Sequence, residues 1–244
     1  MPSGIAYCDE TWNVVTGCTP DFPCWERCWA RGMCQRFPKA FGGDFTPRFH
    51  PERLNQPLHW REPRVILVAA MGDLFNDAIG DDCIFQVCGA IRQAPRHRYL
   101  FLTKRWQRMA RMVLPMLHHL GANGDPVWWG FTAWDNDSAR TVVNIVRDRF
   151  FQSDQVWLSL EPLLGPVNLG DDLGLFNQVI AGCESGPGAR HTPCAWFRDV
   201  QSQCREAGVP CYVKQASGEA GEPKVIHFEP EPGDLPWTLR KGAR

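Results

Sequence analysis

Residues 64–75, RVILVAAMGDLF, form a run of aliphatic positions that stops at Gly72 and Asp73. The run is nearly unbroken in apolar character and rich in β-branched residues, which suits a strand buried on both faces rather than one with a wet side. Residues 81–94, DDCIFQVCGAIRQA, then show the apolar spacing of an amphipathic helix. The pairing repeats. YLFLTKR (99–105) precedes WQRMARMVLPMLHHL (106–120), and VWWGFTAW (127–134) precedes NDSARTVVNIVRDRF (136–150). QVWLSLEPL (155–163) is followed by QVIAGCES (178–185), the helix-like CAWFRDVQSQCREAG (194–208) and VPCYVKQ (209–215). Parallel strands need crossover connections, and these helices supply them. Six such strands, with WNVVTGC (12–18) as a seventh at the front, predict an α/β protein built as a full or partial (β/α) barrel; a doubly wound open sheet gives the same alternation.

Polar residues fall where these strands end. Gly72 and Asp73 follow VILVAAM, Thr103 and Lys104 follow YLFL, and Thr132 follows WWGF. Glu161 follows VWLSL, Glu184 follows VIAGC, and Lys214 follows PCYV. In either architecture the C-terminal strand edge is where ligands bind. Any one of these residues alone would be read as a strand end or helix cap, but their recurrence at one edge marks a candidate site.

The whole chain sets the limits. Its 244 residues, 44% of them hydrophobic, suffice for one substantial core. No domain boundary stands out, so residues 1–244 read as one domain: a cysteine-bearing loop region at 8–34, β-α repeats at 64–216 and a Pro-rich tail at 217–244. FPKAFGGDFTPRFHPERL (37–54) reads as a loop or lid between the cysteines and the sheet. A formal net charge of -1 gives no global field for nucleic acid, though a local basic groove is compatible with it. No apolar run approaches the roughly 20 residues of a membrane span. MPSGIAYCDE lacks the basic and apolar regions of a signal peptide, so the expectation is a cytoplasmic protein away from membranes.

Eleven cysteines, an odd number in such a chain, argue for reduced thiols rather than a disulfide framework. Cys83 and Cys88 sit in an apolar helical pattern and read as core. Cys18, Cys24 and Cys28, in TGCTPDFPCWERCWA (16–30), follow the front strand and so start from the same edge as the polar residues. Structural zinc would need a fourth ligand, for which Cys8, Cys34 or His50 are available. A redox pair would most simply appear as C-x-x-C, which is absent here. An iron–sulfur cluster with three protein thiolates leaves one iron open to an exogenous ligand. On geometry alone, zinc and cluster stand level.

A resemblance separates them. A cysteine triplet leaving the first strand of a β-α barrel, the last cysteine followed by an aromatic, resembles the radical S-adenosylmethionine (SAM) superfamily. More closely, the chain is similar to a small phage- and bacteria-associated branch distantly similar to spore photoproduct lyase. The matching segments run nearly end to end: TWNVVTGC, CWA, RLNQPLHW, PRVILVAAMGDLF, LTKR, SLEPLLGPV, GCESGPGAR and AGVPCYVKQ. The widespread superfamily spacing is C-x3-C-x2-C and the branch's is C-x6-C-x2-C, whereas this chain has C-x5-C-x3-C. The overall span matches the branch, with Cys24 one position early. Cys183 stands where the branch has glycine.

The resemblance implies that Cys18, Cys24 and Cys28 bind a [4Fe-4S] cluster whose fourth iron takes the amino and carboxylate groups of SAM. Reductive cleavage of SAM would then give a 5′-deoxyadenosyl radical that abstracts hydrogen from the substrate: a nucleobase in DNA or RNA, a modified phage nucleotide, or a peptide. An electron donor of flavodoxin or ferredoxin type is implied as partner. Asp73, beside Gly72, stands where the superfamily binds the methionine ammonium. Lys104, next to Thr103, resembles the lysine that pairs with the methionine carboxylate. Glu161 would meet the ribose or the substrate, and Thr132 and Glu184 would complete the cofactor contacts. Cys183, as a strand-end thiol, is a candidate hydrogen-atom donor, against the plainer reading of a buried thiol packing in the core. Trp25 and Trp29 are expected to shield the cluster. Trp128, Trp129 and Trp134 are expected to line a pocket or stack a base, or else to pack in the core. KRWQRMAR (104–111) would offer either a phosphate-contacting face or a merely solvated one. The alternative from another class is a zinc-stabilised, non-catalytic nucleic-acid-binding protein.

Overall fold

A computed structural model describes residues 4–41, 43–120, 126–150, 154–186, 188–218, 225–231 and 233–237. The strands are β1 (Glu10–Trp12), β2 (Val15–Thr16), β3 (Arg48–Phe49), β4 (Val65–Val68), β5 (Arg98–Thr103), β6 (Val127–Thr132), β7 (Val156–Leu160), β8 (Gln178–Gly182), β9 (Cys211–Ser217) and β10 (Val225–His227). The helices are α1 (Trp29–Arg36), α2 (Pro38–Phe41), α3 (Gln56–His59), α4 (Asp81–Gln93), α5 (Trp106–Leu120), α6 (Asn136–Arg149) and α7 (Cys194–Ala207). Eight strands form one sheet in the order β1-β4-β5-β6-β7-β8-β9-β10, parallel throughout except for β10, which runs antiparallel to β9. The order never reverses. A doubly wound sheet must reverse its order to place helices on both faces; successive right-handed crossovers in one direction stack the helices on one face and curl the sheet into a partial (β/α) barrel.

The apolar runs have a direct cause. Along β4, Ile66 and Val68 join the large core beneath the helices, while Val65 and Leu67 join a second core on the opposite face. The period of two is intact but both faces are dry. Among the described residues, no helix joins the core on that second face. It is closed by the ends of the chain: Tyr7 from the N-terminal segment, and Leu235 and Trp237 from the Pro-rich segment. The Trp237 ring meets Trp128 at 4.9 Å and Trp157 at 5.2 Å, and its indole N–H donates to the Tyr7 carbonyl at 3.1 Å. Residues 217–244 thus begin within β9 and, where described, add an edge strand and a plug to the sheet. Their positions 219–224, 232 and 238–244 lie outside the described residues.

The front strand differs from expectation. WNVVTGC is not one strand of the main sheet: β1 ends at Trp12, and Val15–Thr16 pairs antiparallel with β3 in a separate two-stranded sheet. Asn13 marks the break, its side-chain oxygen accepting the Met71 N–H at 2.9 Å. Trp128 and Trp129 lie at the start of β6 in the two cores, far from the site edge. Only Trp134 stands near that edge, stacked on Trp106 at 5.3 Å. Among the described residues, no helix is long and apolar enough to cross a membrane.

Candidate functional site

The cysteine segment is pinned to the strand edge by backbone. Gly17 and Gly72 form a parallel β-bridge, the Gly17 N–H donates to Met71 O at 2.9 Å, and the Cys18 N–H donates to Phe45 O at 3.0 Å. Gly17 has φ +84°, and a Cβ there would lie 2.1 Å from the Thr46 carbonyl oxygen. A Cβ on Gly72 would lie 2.8 Å from Gly17 O. These two positions therefore require glycine, because the chains touch. Gly72 was expected to border a cofactor; its packing gives it a reason that needs no ligand. The consequence is that Cys18 and Asp73, each one residue past the bridge, are neighbours.

Asp73 is buried, and burial raises its carboxyl pKa against the pull of its hydrogen bonds. Both carboxylate oxygens accept from Thr103 Oγ1 at 2.8 Å, the Phe75 N–H donates at 2.9 Å, and the Lys104 N–H reaches 3.4 Å. Thr103, expected as a cofactor contact, is committed to this carboxylate and to the Arg105 N–H at 2.8 Å. Lys104 is half-buried, acts electrostatically on both Asp73 and Cys28, and has no ion-pair partner among the described residues.

Two of the three cysteines lie within electrostatic reach of this group, Cys18 of Asp73 and Cys28 of Lys104. Cys18 and Cys28 pack on one small apolar cluster with Trp25, Phe45 and Met71. Desolvation pushes the Cys18 thiol up to about 11 and raises Cys28 in the same direction; at Cys28 the backbone N–H groups of Arg31 and Ala30, at the start of α1, pull the other way. Cys28 also contributes to raising Cys18, and Cys24 to raising Cys28, so the three form an electrostatic chain. Among the described residues, no three His, Cys, Asp or Glu side chains gather closely enough to chelate a single ion. Of the fourth zinc ligands weighed from sequence, Cys8 and His50 lie elsewhere and only Cys34 is close by. Cys8 lies in the opposite core, His50 Nε2 bonds Thr16 Oγ1 at 2.7 Å and its Nδ1 bonds Glu52 at 3.1 Å, and Cys34 is buried in the cluster beside Cys18 and Cys28. Trp25 packs on Phe45 at 5.9 Å, whereas Trp29 is 49% exposed, so the shielding expected of Trp29 is not made.

The remaining residues form two further groups along the edge. Glu161 accepts from Lys214 Nζ at 3.0 Å and from Ser159 Oγ at 3.3 Å. Thr132 is buried, and its carbonyl accepts the Trp106 indole N–H at 2.7 Å. Glu184 is buried and held by Arg190, whose backbone N–H (2.9 Å) and Nε (3.0 Å) both donate to it and whose terminal nitrogen bonds its other oxygen. Burial opposes the charge on Glu184, but the Arg190 hydrogen bonds, with Arg27 nearby, keep its pKa below the ordinary value. Arg190 also donates to Pro23 O at 3.1 Å, and Arg27 Nε donates to Gly188 O at 2.6 Å. Glu184 therefore ties the β8–α7 connection to the cysteine loop, with both oxygens in use. Pro187, within GCESGPGAR, lies outside the described residues.

Cys183 stands one residue past the end of β8, within electrostatic reach of Glu161 and Lys214, with its side chain in the helix-side core. Val179 and Ala181 on β8 face the helix-side core while Ile180 faces away, and Cys183 continues the helix-side parity at 3% exposure. Its backbone is bracketed by Gln215: the Cys183 N–H donates to Gln215 O at 3.1 Å, and Gln215 Nε2 donates to Cys183 O at 2.6 Å. The KRWQRMAR helix start is no free basic face either. Arg105 is buried, donating to Thr19 Oγ1 and to Asp21 at 2.8 Å and reaching Cys18 Sγ at 4.0 Å; Arg108 is spent on Asn76 O, Ile79 O and Asp81. Of Arg27, Arg105 and Arg190, which fix the cysteine loop, the sequence pointed only to Arg105, and then as a phosphate contact within KRWQRMAR. The available signal was a buried strand-end glutamate, which demands a countercharge.

Two solved structures of spore photoproduct lyase are similar to the chain. One, complexed with dinucleoside spore photoproduct, is 11% identical with a TM-score of 0.48 over 90% of this chain and 68% of that one. The other, a tyrosine-to-phenylalanine mutant, is 12% identical with a TM-score of 0.47 over the same shares. No curated protein matches. Over residues 2–231 the chain matches the family described as protein of unknown function (DUF5131), and to that family it belongs.

Proposed function

We propose that the chain is a radical SAM enzyme that acts on a nucleobase, in a nucleotide or a nucleic acid. The observation that carries this reading is the Gly17–Gly72 bridge, which seats a thiol of the cysteine triplet beside a buried carboxylate, with Lys104 acting on both Asp73 and Cys28. The donor set fits the cofactor: three soft thiols, two of them on an apolar patch that excludes water, beside a cation without an ion-pair partner. When bound, a [4Fe-4S] cluster with SAM on its open iron supplies the electron that cleaves the sulfonium bond and so a 5′-deoxyadenosyl radical for hydrogen abstraction. Cys18, Cys24 and Cys28 would hold the cluster.

In this reading Asp73, oriented by Thr103, would accept hydrogen bonds from the SAM amino group, and Lys104 would pair with its carboxylate. Glu161, positioned by Lys214, lies further along the edge and meets the ribose or the substrate. Glu184 acts through Arg190 and Arg27 to hold the loop that carries Cys24 and Cys28, and Cys183 keeps a packing role. A reductant of flavodoxin or ferredoxin type completes the reaction.

The test is anaerobic reconstitution with iron and sulfide, reduction, addition of SAM, and assay of 5′-deoxyadenosine beside a Cys28→Ala control. Formation that depends on Cys28 is expected. A colourless protein holding about one zinc, as a structural site does, and cleaving no SAM would overturn the reading.

A further inference from the structure

We propose that Tyr7, Thr132, Glu161 and Lys214, on the inner face of the partial barrel, bind the base of the substrate, and that this base carries a ring carbonyl. The site rests on the function proposed above and gives its substrate a chemical class: an oxo ring of the uracil or hypoxanthine type rather than adenine.

Strand parity brings these residues together. On β6, Trp128 joins the inner core while Trp129 and Phe131 join the core beneath the helices, so Thr132 lies on the inner face. Ser159, its register partner on β7, and Glu161 share the face of Trp157, and Lys214 on β9 shares that of Tyr212. Tyr7 enters from the N-terminal segment, its ring T-shaped on Trp157 at 6.0 Å and lying beneath Lys214 Nζ at 5.8 Å. Gly182 on β8 makes room for the carboxylate, since a Cβ there would lie 2.9 Å from Glu161 Oε1. Asp73, Thr103 and Lys104 follow β4 and β5, so the two groups occupy successive strands of one edge.

Two hydroxyls in this group are unspent. Tyr7 is 5% exposed and Thr132 is 1% exposed, and among the described residues neither hydroxyl has a hydrogen-bond partner. Both are enclosed by packing yet keep an opening to solvent, through which a ligand can pair them. Burial first, and Glu161 next, hold the Tyr7 hydroxyl well above its ordinary pKa, so it stays a neutral donor. Lys214 gives one hydrogen to Glu161 at 3.0 Å and keeps two, while Glu161 also accepts from Ser159 Oγ at 3.3 Å. Their side chains retain 26% and 15% exposure, so the pair is reachable from the edge. Its charges cancel, which suits an uncharged ring, and Trp157, Ile180 and Leu102 supply an apolar floor for one. Spare donors outnumber acceptors here. A ring carbonyl has two lone pairs and can take two such donors while the N–H beside it meets Glu161; adenine offers ring nitrogens with one lone pair each and an amino group that only donates.

The experiment follows binding of uridine, inosine and adenosine to the full chain by isothermal titration calorimetry, with neither iron nor SAM added. Uridine or inosine is expected to bind, and adenosine, which has no ring carbonyl, to bind about tenfold more weakly or less, the worth of one hydrogen bond. Tyr7→Phe and Thr132→Val each delete a hydroxyl that no protein group bonds. Each is expected to weaken binding of the oxo nucleoside about five- to tenfold and to leave the melting temperature unchanged. An oligonucleotide of the preferred base that binds more tightly than its nucleoside identifies a base within a strand as the substrate, and equal binding identifies a free nucleoside or nucleotide. Adenosine binding as tightly as the oxo nucleosides would make this a site for the adenosine of the cofactor and overturn the proposal. So would absence of binding by uridine and inosine alike, wild-type binding by both variants, or a fall in melting temperature that accompanies each loss of binding. Formation of 5′-deoxyadenosine is assayed without these nucleosides, so failure of one reading is distinguishable from failure of the other.

Discussion

Substituting Glu184 with glutamine should loosen the cysteine loop without touching a cysteine. The carboxylate is buried and takes three donors from Arg190, which itself bonds Pro23 O, while Arg27 lies 3.8 Å from the same carboxylate. Breaking a fully buried ion pair costs about 3–5 kcal/mol. The Arg190 side chain is 37% exposed and can be rehydrated once released, so the loss should fall nearer the value for hydrogen bonds to a charged group, about 2 kcal/mol. In a chain of this length each kcal/mol moves the melting temperature by about 2–4 °C, giving a fall of about 4–8 °C at pH 7. The effect should also depend on pH. The folded-state pKa of Glu184 is lowered, so its contribution is present above the unfolded carboxyl value and is lost as the pH falls through the folded one. Wild type and Glu184→Gln should therefore melt apart at pH 7 and converge in acid, below about pH 4.5. Limited trypsin digestion should cut faster after Arg27 in the variant. Equal melting temperatures at pH 7 together with an unchanged Arg27 cleavage rate would refute the latch.

Gly17→Ala should be more damaging than its size suggests, since the new methyl would sit 2.1 Å from Thr46 O on a residue at φ +84°. We expect about 2 kcal/mol or more of destabilisation by thermal unfolding and lower iron retention after reconstitution. Trp237→Ala removes the plug between Trp128 and Trp157 and should cost about 3–5 kcal/mol by denaturant unfolding, although sequence composition marks the segment as a tail.

The repeated β-α pattern was legible because strands dry on both faces cannot hide among amphipathic segments. The front strand was not. Val14 and Val15 are as buried as Trp12, so the apolar run continues across the point where the chain leaves one sheet for another. What divides it is Asn13, a side chain that replaces a ladder partner, and no periodicity reports that. The strand-end residues were found by position, but only Asp73, Thr103 and Lys104 come together with Cys18 and Cys28, while Glu161 pairs with Lys214 and Glu184 with Arg190. Such pairings are set by the curl of the sheet. Arg27 and Gly188, or Arg105 and Cys18, are distant in sequence and become neighbours only when the strand edges are brought together.

The unusual spacing of the cysteines can be understood in the same terms. The five residues between Cys18 and Cys24 are held from the strand edge, where Arg105, just before α5, grips Thr19 and Asp21 and the Phe22 ring lies 6.0 Å from Trp134 in the β6–α6 connection. The three between Cys24 and Cys28 form a single 3-10 turn, Trp25–Arg27, which carries Arg27 outward to Gly188 and towards Glu184. Cys28 then begins α1 as its N-cap residue. Each interval thus contains residues with partners of their own on the strand edge, Arg105 on one side and the Glu184–Arg190 pair on the other. A loop fixed at both ends by protein contacts does not depend on a metal to define its path. Moving one residue from the first interval to the second is tolerable where the added position supplies a contact, and here Arg27 supplies it.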